Sequence, residues 1–162
     1  MHHCFPPVTR PDTRLLLLGS LPGAVSLEAK RYYGHKRNQF WRLIGAVIGR
    51  ELVRFDYESR LAALLDARVG LWDTVAAAER EGSLDVAIRN PLPTDLAALA
   101  ATLPALRAIG FNGATAARIG RSQLGTAGAK LALVDLPSSS PAYASLSFEQ
   151  KREAWLALKE FL

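Results

Sequence analysis

Four short apolar runs, separated by stretches of helical pattern, constrain the fold of this chain more than any other feature. They are Leu15–Leu18, Val69–Trp72, Ala108–Phe111 and Leu131–Leu136. Strands that are apolar at every position, rather than at alternate positions, are typical of a parallel sheet covered by helices on both faces. We therefore predict a three-layer α/β/α fold around a short, four-stranded parallel sheet.

The segments between the runs carry helical signals. Apolar residues recur at helical spacing from Phe40 to Ile48, and Gly49 follows as a stop signal. Further helices are predicted over 61–65, 73–81, 96–103 with Thr94 as N-cap, 113–119, and a C-terminal segment with a Ser147–Gln150 capping box and an apolar stripe around Trp155. No internal repeat or linker interrupts the pattern, so we expect a single domain over residues 1–162.

The composition limits the chemistry that is open to this chain. Of its 162 residues, 49% are hydrophobic, which is enough to bury a core without disulfides or metals. Cys4 is the only cysteine, which excludes an intramolecular disulfide and a metal site held by several cysteines. Leu15–Leu18 is too short to span a bilayer, and no signal segment precedes it. We expect a cytoplasmic protein without a metal or cofactor.

The positive charge is concentrated in one segment. The chain has a net charge of +5, and residues 30–42 contain five basic residues and no acidic one. The basic residues are Lys30, Arg31, Lys36, Arg37 and Arg42. Aromatic residues stand among them, a combination that is typical of nucleic-acid binding. The alternative is a solvated helix face over core aromatics.

Polar and glycine-rich segments follow the predicted strands, where parallel sheets bind their ligands. These segments are 19–38, Asp73, Asn112 and 138–143. Gly19 and Gly23 would let a ligand approach the backbone closely. Their spacing does not match a Walker loop or a dinucleotide fingerprint, which argues against a nucleoside-triphosphate or NAD enzyme.

Three sequence blocks occur in an informative order. They are Leu-Leu-Leu-Leu-Gly-Ser-Leu-Pro-Gly at 15–23, His-Lys-Arg-Asn-Gln-Phe-Trp at 35–41 and Leu-Pro-Ser-Ser-Ser-Pro-Ala at 136–142. With them the chain resembles the uracil-DNA glycosylase superfamily, most closely its hypoxanthine-DNA (deoxyinosine) glycosylase branch, numbered family 6. The likeness extends to 5–8, 26–29, 32–33, 70–73, 82–85 and 111–113. Lys36 departs from it, since relatives usually have proline there.

The resemblance implies a monomeric, monofunctional DNA glycosylase that hydrolyses the N-glycosidic bond of a flipped, deaminated base, with hypoxanthine as that base. Two alternatives stay open. One is a sister specificity for uracil or for mismatched thymine or uracil opposite guanine. The other is a damaged-DNA-binding module that uses the fold without turnover.

The same resemblance implies roles for individual residues. Asn38 matches the catalytic asparagine of the branch, whose amide would orient the water or bond the base, although the sequence also suits it as the N-cap of the following helix. Tyr33 would stack on the extruded base. Gly19, Ser20 and His35 would form the pocket, and Asp73 would accept the N1–H of hypoxanthine or cap a helix.

The DNA-binding residues are expected in two places. Lys36 and Arg37 belong to the basic segment, and the remaining six form the loop after the last strand. That loop consists of Ser138, Ser139, Ser140, Pro141, Ala142 and Tyr143. Its hydroxyls and N–H groups would hold phosphates, while its proline turn would present a wedge to the base stack. Asn112 and Trp72 are interpreted as structural.

Overall fold

The computed structural model describes residues 2–80 and 88–162, so the 82–85 motif lies outside the described residues. The strands in the described part are β1 (His2–His3), β2 (Leu15–Gly19), β3 (Val69–Asp73), β4 (Val75–Arg80), β5 (Ile88–Pro93), β6 (Ala108–Asn112) and β7 (Ala132–Leu136). The α-helices there are α1 (Ala24–Ala29), α2 (Phe40–Ile48), α3 (Tyr57–Asp66), α4 (Leu96–Ala101), α5 (Ala114–Leu124) and α6 (Phe148–Leu156).

The predicted four-stranded parallel sheet is confirmed. Its strand order is β3-β2-β6-β7, and all three pairings are parallel. Leu15 and Leu17 of β2 pack in one core with buried residues of α2, α3 and α6. Leu16 and Leu18 pack in a second core with α4 and α5. Because successive side chains point to opposite faces of a strand, a sheet between two cores needs apolar residues at every position.

The predicted helix over 73–81 is wrong. Val75–Arg80 forms β4, which pairs antiparallel with β5 and with β1 in a second sheet of three strands. Alanine at positions 76–78 favours a helix locally. The N–H groups of Thr74 and Val75 instead bond the carbonyls of Gly19 and Ser20, at 2.8 and 2.9 Å, so the chain stays extended after β3. Tertiary pairing overrides the local propensity.

The other predicted helices lie close to their predicted positions, whereas α1 was not predicted. α2 has the predicted bounds, and Gly49 ends it in the left-handed conformation, with φ +72°. The capping box of Ser147 and Gln150 is confirmed at the start of α6. The N-cap of α4 is Asp95, whose carboxylate accepts from the Ala98 N–H, and not Thr94 as predicted. Thr94 donates its hydroxyl to the Asp73 carbonyl instead.

The C-terminal helix supports the end of β7. Trp155 is fully buried, as its apolar stripe predicts, and its indole N–H donates to the Pro137 carbonyl at 3.0 Å. That carbonyl directly precedes the serine-rich loop, so α6 fixes where the loop begins. None of the helices in the described ranges has the length and apolar character needed to cross a membrane.

Candidate active site

A cavity of about 350 Å³ lies beyond the carboxyl ends of the parallel strands. Its walls include the last residues of β2, β3 and β6, which are Gly19, Asp73 and Asn112. Predicted site residues that line it are Gly19, Ser20, Tyr33, His35, Asn38, Asp73, Ser138, Ser139, Ser140, Pro141 and Ala142. Lys36, Arg37 and Tyr143 do not line it. The volume is within the range of sites that enclose small molecules.

Gly19 and Asp73 meet at one wall of this cavity. A methyl group on Gly19 would lie 2.8 Å from Asp73 Oδ1 and 3.0 Å from the Tyr33 hydroxyl oxygen, so only glycine fits. Asp73 is buried, and it is followed by β4 rather than by a helix. The helix-cap alternative for Asp73 is therefore wrong.

Burial and the negative charge of Asp73 both raise the pKa values of two neighbouring groups, Cys4 and Tyr32. Burial, and then the field of Asp73, raise the pKa of the Cys4 thiol to about 11. The same two causes, in the same order, raise the pKa of Tyr32 above its ordinary range. Cys4 therefore stays a neutral thiol at physiological pH.

Tyr33 forms an aromatic wall of the cavity. Its ring stacks on that of Phe40 with centroids 3.8 Å apart and an interplanar angle of 10°. The Tyr33 backbone is left-handed, with φ +52°, and its carbonyl accepts from the Trp41 indole N–H at 3.3 Å. Such a conformation in a non-glycine residue persists only where its surroundings hold it, which is common at functional sites.

Asn38 is held by two hydrogen bonds to its side-chain oxygen. Oδ1 accepts from the Phe40 N–H at 3.0 Å and from the Ser139 hydroxyl at 2.7 Å. The first bond satisfies the N–H at the start of α2, but the N-cap of that helix is Gln39, so the predicted N-cap position of Asn38 is one residue too early. The side chain lines the cavity as well, so one residue bonds the start of α2 and faces the cavity.

Asn112 and Ser139 form the buried support of Asn38. The Ser139 N–H donates to Asn112 Oδ1 at 2.8 Å, and Asn112 Nδ2 donates to the Ser139 hydroxyl at 2.9 Å. Ser139 is 1% exposed, and its hydroxyl and N–H are both used in this network, so the prediction that it holds phosphate is wrong. Asn112, interpreted from sequence as structural, lines the cavity; its position directly after the predicted strand Ala108–Phe111 was the signal for this.

Lys151 is a second residue that sequence reasoning did not single out. It is 1% exposed, and its Nζ donates to Gln39 Oε1 at 3.0 Å and to the Ser140 carbonyl at 3.3 Å. Burial lowers its pKa. Its spacing of four residues from Trp155 places both on one face of α6, and this was the available signal. Lys151 ties the segment of Asn38 to the serine-rich loop.

The basic segment is on the surface beside the cavity. All five of its basic residues are exposed. Lys36 and Arg37 directly follow His35, a cavity residue whose Nδ1 accepts from the Arg37 N–H at 3.0 Å. Arg42 instead lies over the Phe148 ring, 3.8 Å from its centroid. Tyr143, the last loop residue, is 42% exposed.

Neutral groups dominate the cavity, although Asp73 adds a carboxylate. Among the residues that the structure describes, no three His, Cys, Asp or Glu side chains are grouped as a metal site requires. The groups that line the cavity include hydroxyls, amides, aromatic rings, His35 and the Asp73 carboxylate. This arrangement suits a small, flat, polar ligand that stacks on a ring and exchanges hydrogen bonds.

Fold and cavity together define an α/β domain that holds such a ligand beyond the carboxyl edge of a parallel sheet. A family model described as "Uracil DNA glycosylase superfamily" matches residues 6–159. The chain therefore belongs to the uracil DNA glycosylase superfamily.

Relatives and a solved structure agree with this family. The chain is similar to proteins named hypoxanthine DNA glycosylase from Methanosarcina barkeri (strain Fusaro) and from Methanosarcina acetivorans. Each is 44% identical over 109 residues, which is 67% of this chain and 69% of the relative. A solution NMR structure of a candidate uracil DNA glycosylase from Methanosarcina acetivorans matches with a TM-score of 0.85 and 37% identity, over 98% of this chain and 97% of that chain.

Proposed function

We propose that this chain is a DNA glycosylase that hydrolyses the N-glycosidic bond of hypoxanthine in DNA, as a monomer. The observation that carries the proposal is one cavity in which an aromatic wall, a buried carboxylate and a fixed amide meet. These groups are the Tyr33 ring, Asp73 and Asn38. The names of the two Methanosarcina relatives support hypoxanthine as the base.

The chemistry needs little from the protein beyond positioned polar groups. Breaking the glycosidic bond leaves an oxocarbenium-like sugar and a base that gains negative charge. A hydrogen-bond donor at the base stabilises this charge in the transition state, and water then adds to C1′ of the sugar. In our proposal the Asn38 amide is the catalytic group, and the aromatic wall holds the base out of the DNA stack.

Asp73 offers a means of selecting hypoxanthine over adenine. Hypoxanthine presents an N1–H donor, whereas adenine presents a lone pair at N1. A carboxylate accepts from the former and repels the latter, and burial makes the difference larger. Uracil also has a ring N–H next to its carbonyls, so uracil excision is the second specificity that this wall permits.

DNA contacts are proposed outside the cavity and around its mouth. Lys36 and Arg37 are exposed beside His35 and suit phosphate contacts. In the serine-rich loop, the Ser140 N–H already bonds the Ser138 hydroxyl and the Ala142 N–H bonds the Ser140 hydroxyl, at 3.1 and 3.2 Å. These local bonds stiffen the loop that would present Pro141 and Ala142 to the space left by the flipped base.

The test is a cleavage assay on oligonucleotides that carry one hypoxanthine, uracil or mismatched thymine, in single and double strands. The buffer contains a chelator, because no step of the proposed chemistry uses a metal. We expect release of hypoxanthine and an abasic site that is cut only by later alkali. Binding of all the substrates without release of any base would overturn the proposal in favour of a recognition module.

A further inference from the structure

We propose that Ser139 and Asn112 are positioning residues that orient the Asn38 amide, so that Asn38 acts through its NH2 group as a hydrogen-bond donor. This inference rests on the proposed function, and it assigns the direction of the hydrogen bond between the Asn38 amide and the substrate. An amide that donates stabilises the departing base. An amide that accepts would orient the attacking water instead.

Two backbone N–H groups settle which way the amides face. A backbone N–H can only donate, so the atom of Asn112 opposite the Ser139 N–H is its oxygen, and Nδ2 is the atom at the Ser139 hydroxyl. That hydroxyl therefore accepts from Asn112 and directs its own hydrogen to Asn38. The Phe40 N–H independently requires an oxygen at the same place on Asn38.

The side-chain oxygen of Asn38 therefore has both lone pairs in use. Its two donors lie at 3.0 and 2.7 Å, and an amide oxygen accepts two hydrogen bonds. The NH2 group of Asn38 makes no hydrogen bond to any residue within 2–80 and 88–162. The part of this cavity-lining amide that is left for a ligand is a donor.

The hydrogen bonds that run from Asn112 through Ser139 to Asn38 form a relay. Burial preserves the direction of these bonds. Ser139 is 1% exposed and Asn112 is 7% exposed, so water has little access to the bonds between them. Hydrogen bonds in such surroundings are strengthened and polarise one another, which makes the terminal NH2 a better donor. The Gln39 N–H also bonds the Ser139 carbonyl at 3.0 Å, which holds the Asn38 segment in register with the loop.

The Asn112→Asp variant tests the direction of the relay without changing its shape. A carboxylate at this place accepts from the Ser139 hydroxyl, turns its hydrogen away from Asn38 and removes one donor. When the carboxyl is protonated it donates again and the relay is restored. We expect a single-turnover rate of hypoxanthine release reduced by roughly 10-fold or more near pH 8, and recovery towards the wild-type rate near pH 5.

The controls separate this effect from others that depend on pH. Asp73 and His35 line the same cavity and Lys151 bonds the same loop, so each rate is divided by the wild-type rate at the same pH. Asn90→Asp makes the identical change at an exposed position and should follow the wild-type profile. Circular dichroism at both pH values shows whether each variant is folded.

Ser139→Ala provides a second test that does not depend on a buried charge. It removes the donor to Asn38 and should lower the single-turnover rate by roughly 10-fold, with DNA affinity unchanged. Ser122→Ala, on the exposed surface of α5, is its control. A folded Ser139→Ala protein with the wild-type rate would overturn the proposal, as would a folded Asn112→Asp protein with the wild-type rate at pH 8.

Failure of the proposed function would look different. It would be seen in the wild-type protein, as the absence of base release from every substrate. The relay is then still measurable, because the side-chain NH2 resonances of Asn38 in a ¹⁵N NMR spectrum should shift in the Asn112→Asp variant and return in acid. If the chemical shifts of these resonances are unchanged in the Asn112→Asp variant, this result alone contradicts the relay.

Discussion

At the scale of single residues, the site depends on a few close approaches. Gly19 admits no side chain, because Asp73 and the Tyr33 hydroxyl occupy the space where one would begin. Asn38 serves the start of α2 and the cavity with one amide. These contacts explain why the residues after β2 carry so much of the proposed chemistry.

The charge of Asp73 has a consequence that needs no substrate to measure. Asp73 raises the pKa of the Cys4 thiol, although burial is the larger cause. Asp73→Asn should therefore lower this pKa from about 11 and increase the thiolate fraction at any given alkaline pH. Alkylation of Cys4 by iodoacetamide, followed between about pH 8 and pH 10, checks this. Asp66→Asn, at an exposed site, should leave the alkylation profile where it is in the wild type.

At the scale of elements, the sequence predicted helix ends correctly where residues within the helix or next to it determine them. The bounds of α2 follow from apolar spacing and a glycine stop, and the start of α6 follows from its capping box. β4 was missed because its alanines favour a helix, while its pairing with β1 joins segments that are distant in sequence. The helical spacing of one segment holds no information about such partners.

The capping box offers a prediction about an element alone. Ser147→Ala removes the acceptor for the Gln150 N–H at the start of α6. We expect a loss of about 1 kcal/mol of stability and a fall of a few degrees in Tm, with an unchanged rate of base release. Thermal unfolding measures the first effect. A fall in Tm no larger than that of Ser122→Ala would show that the box contributes nothing.

At the scale of the whole molecule, the sheet was predictable and the relay within the site was not. Apolar residues at every strand position require two covered faces, and the carboxyl edge of a parallel sheet is where ligands bind. Those two rules locate most of the cavity residues. The bond from Ser139 to Asn38 joins residues 101 positions apart and depends on how the loop after β7 sits, which sequence periodicity does not describe.

The distribution of charge leads to a prediction about DNA binding by the whole molecule. Reversal of Lys30, Arg31, Lys36 and Arg37 to glutamate should weaken DNA binding and flatten its dependence on salt. Each lost phosphate contact should reduce the slope of log K against log salt by about 0.9. Lys130→Glu with Lys159→Glu, exposed changes outside this segment, serves as the control. Equal slopes of log K against log salt in all the proteins would show that the basic segment makes no phosphate contacts.

The most direct test of the central claim is the single-turnover release of hypoxanthine from duplex DNA by the wild type, Asn38→Ala and Asn38→Asp. We expect Asn38→Ala to retain most of its DNA affinity and to release the base roughly 10²-fold more slowly, because a positioned donor is lost from the transition state. Asn38→Asp should be at least as slow, since a carboxylate in place of the NH2 group repels an anionic base. Release at the wild-type rate by folded Asn38→Ala would contradict the catalytic assignment and leave Asn38 with a structural role at the start of α2.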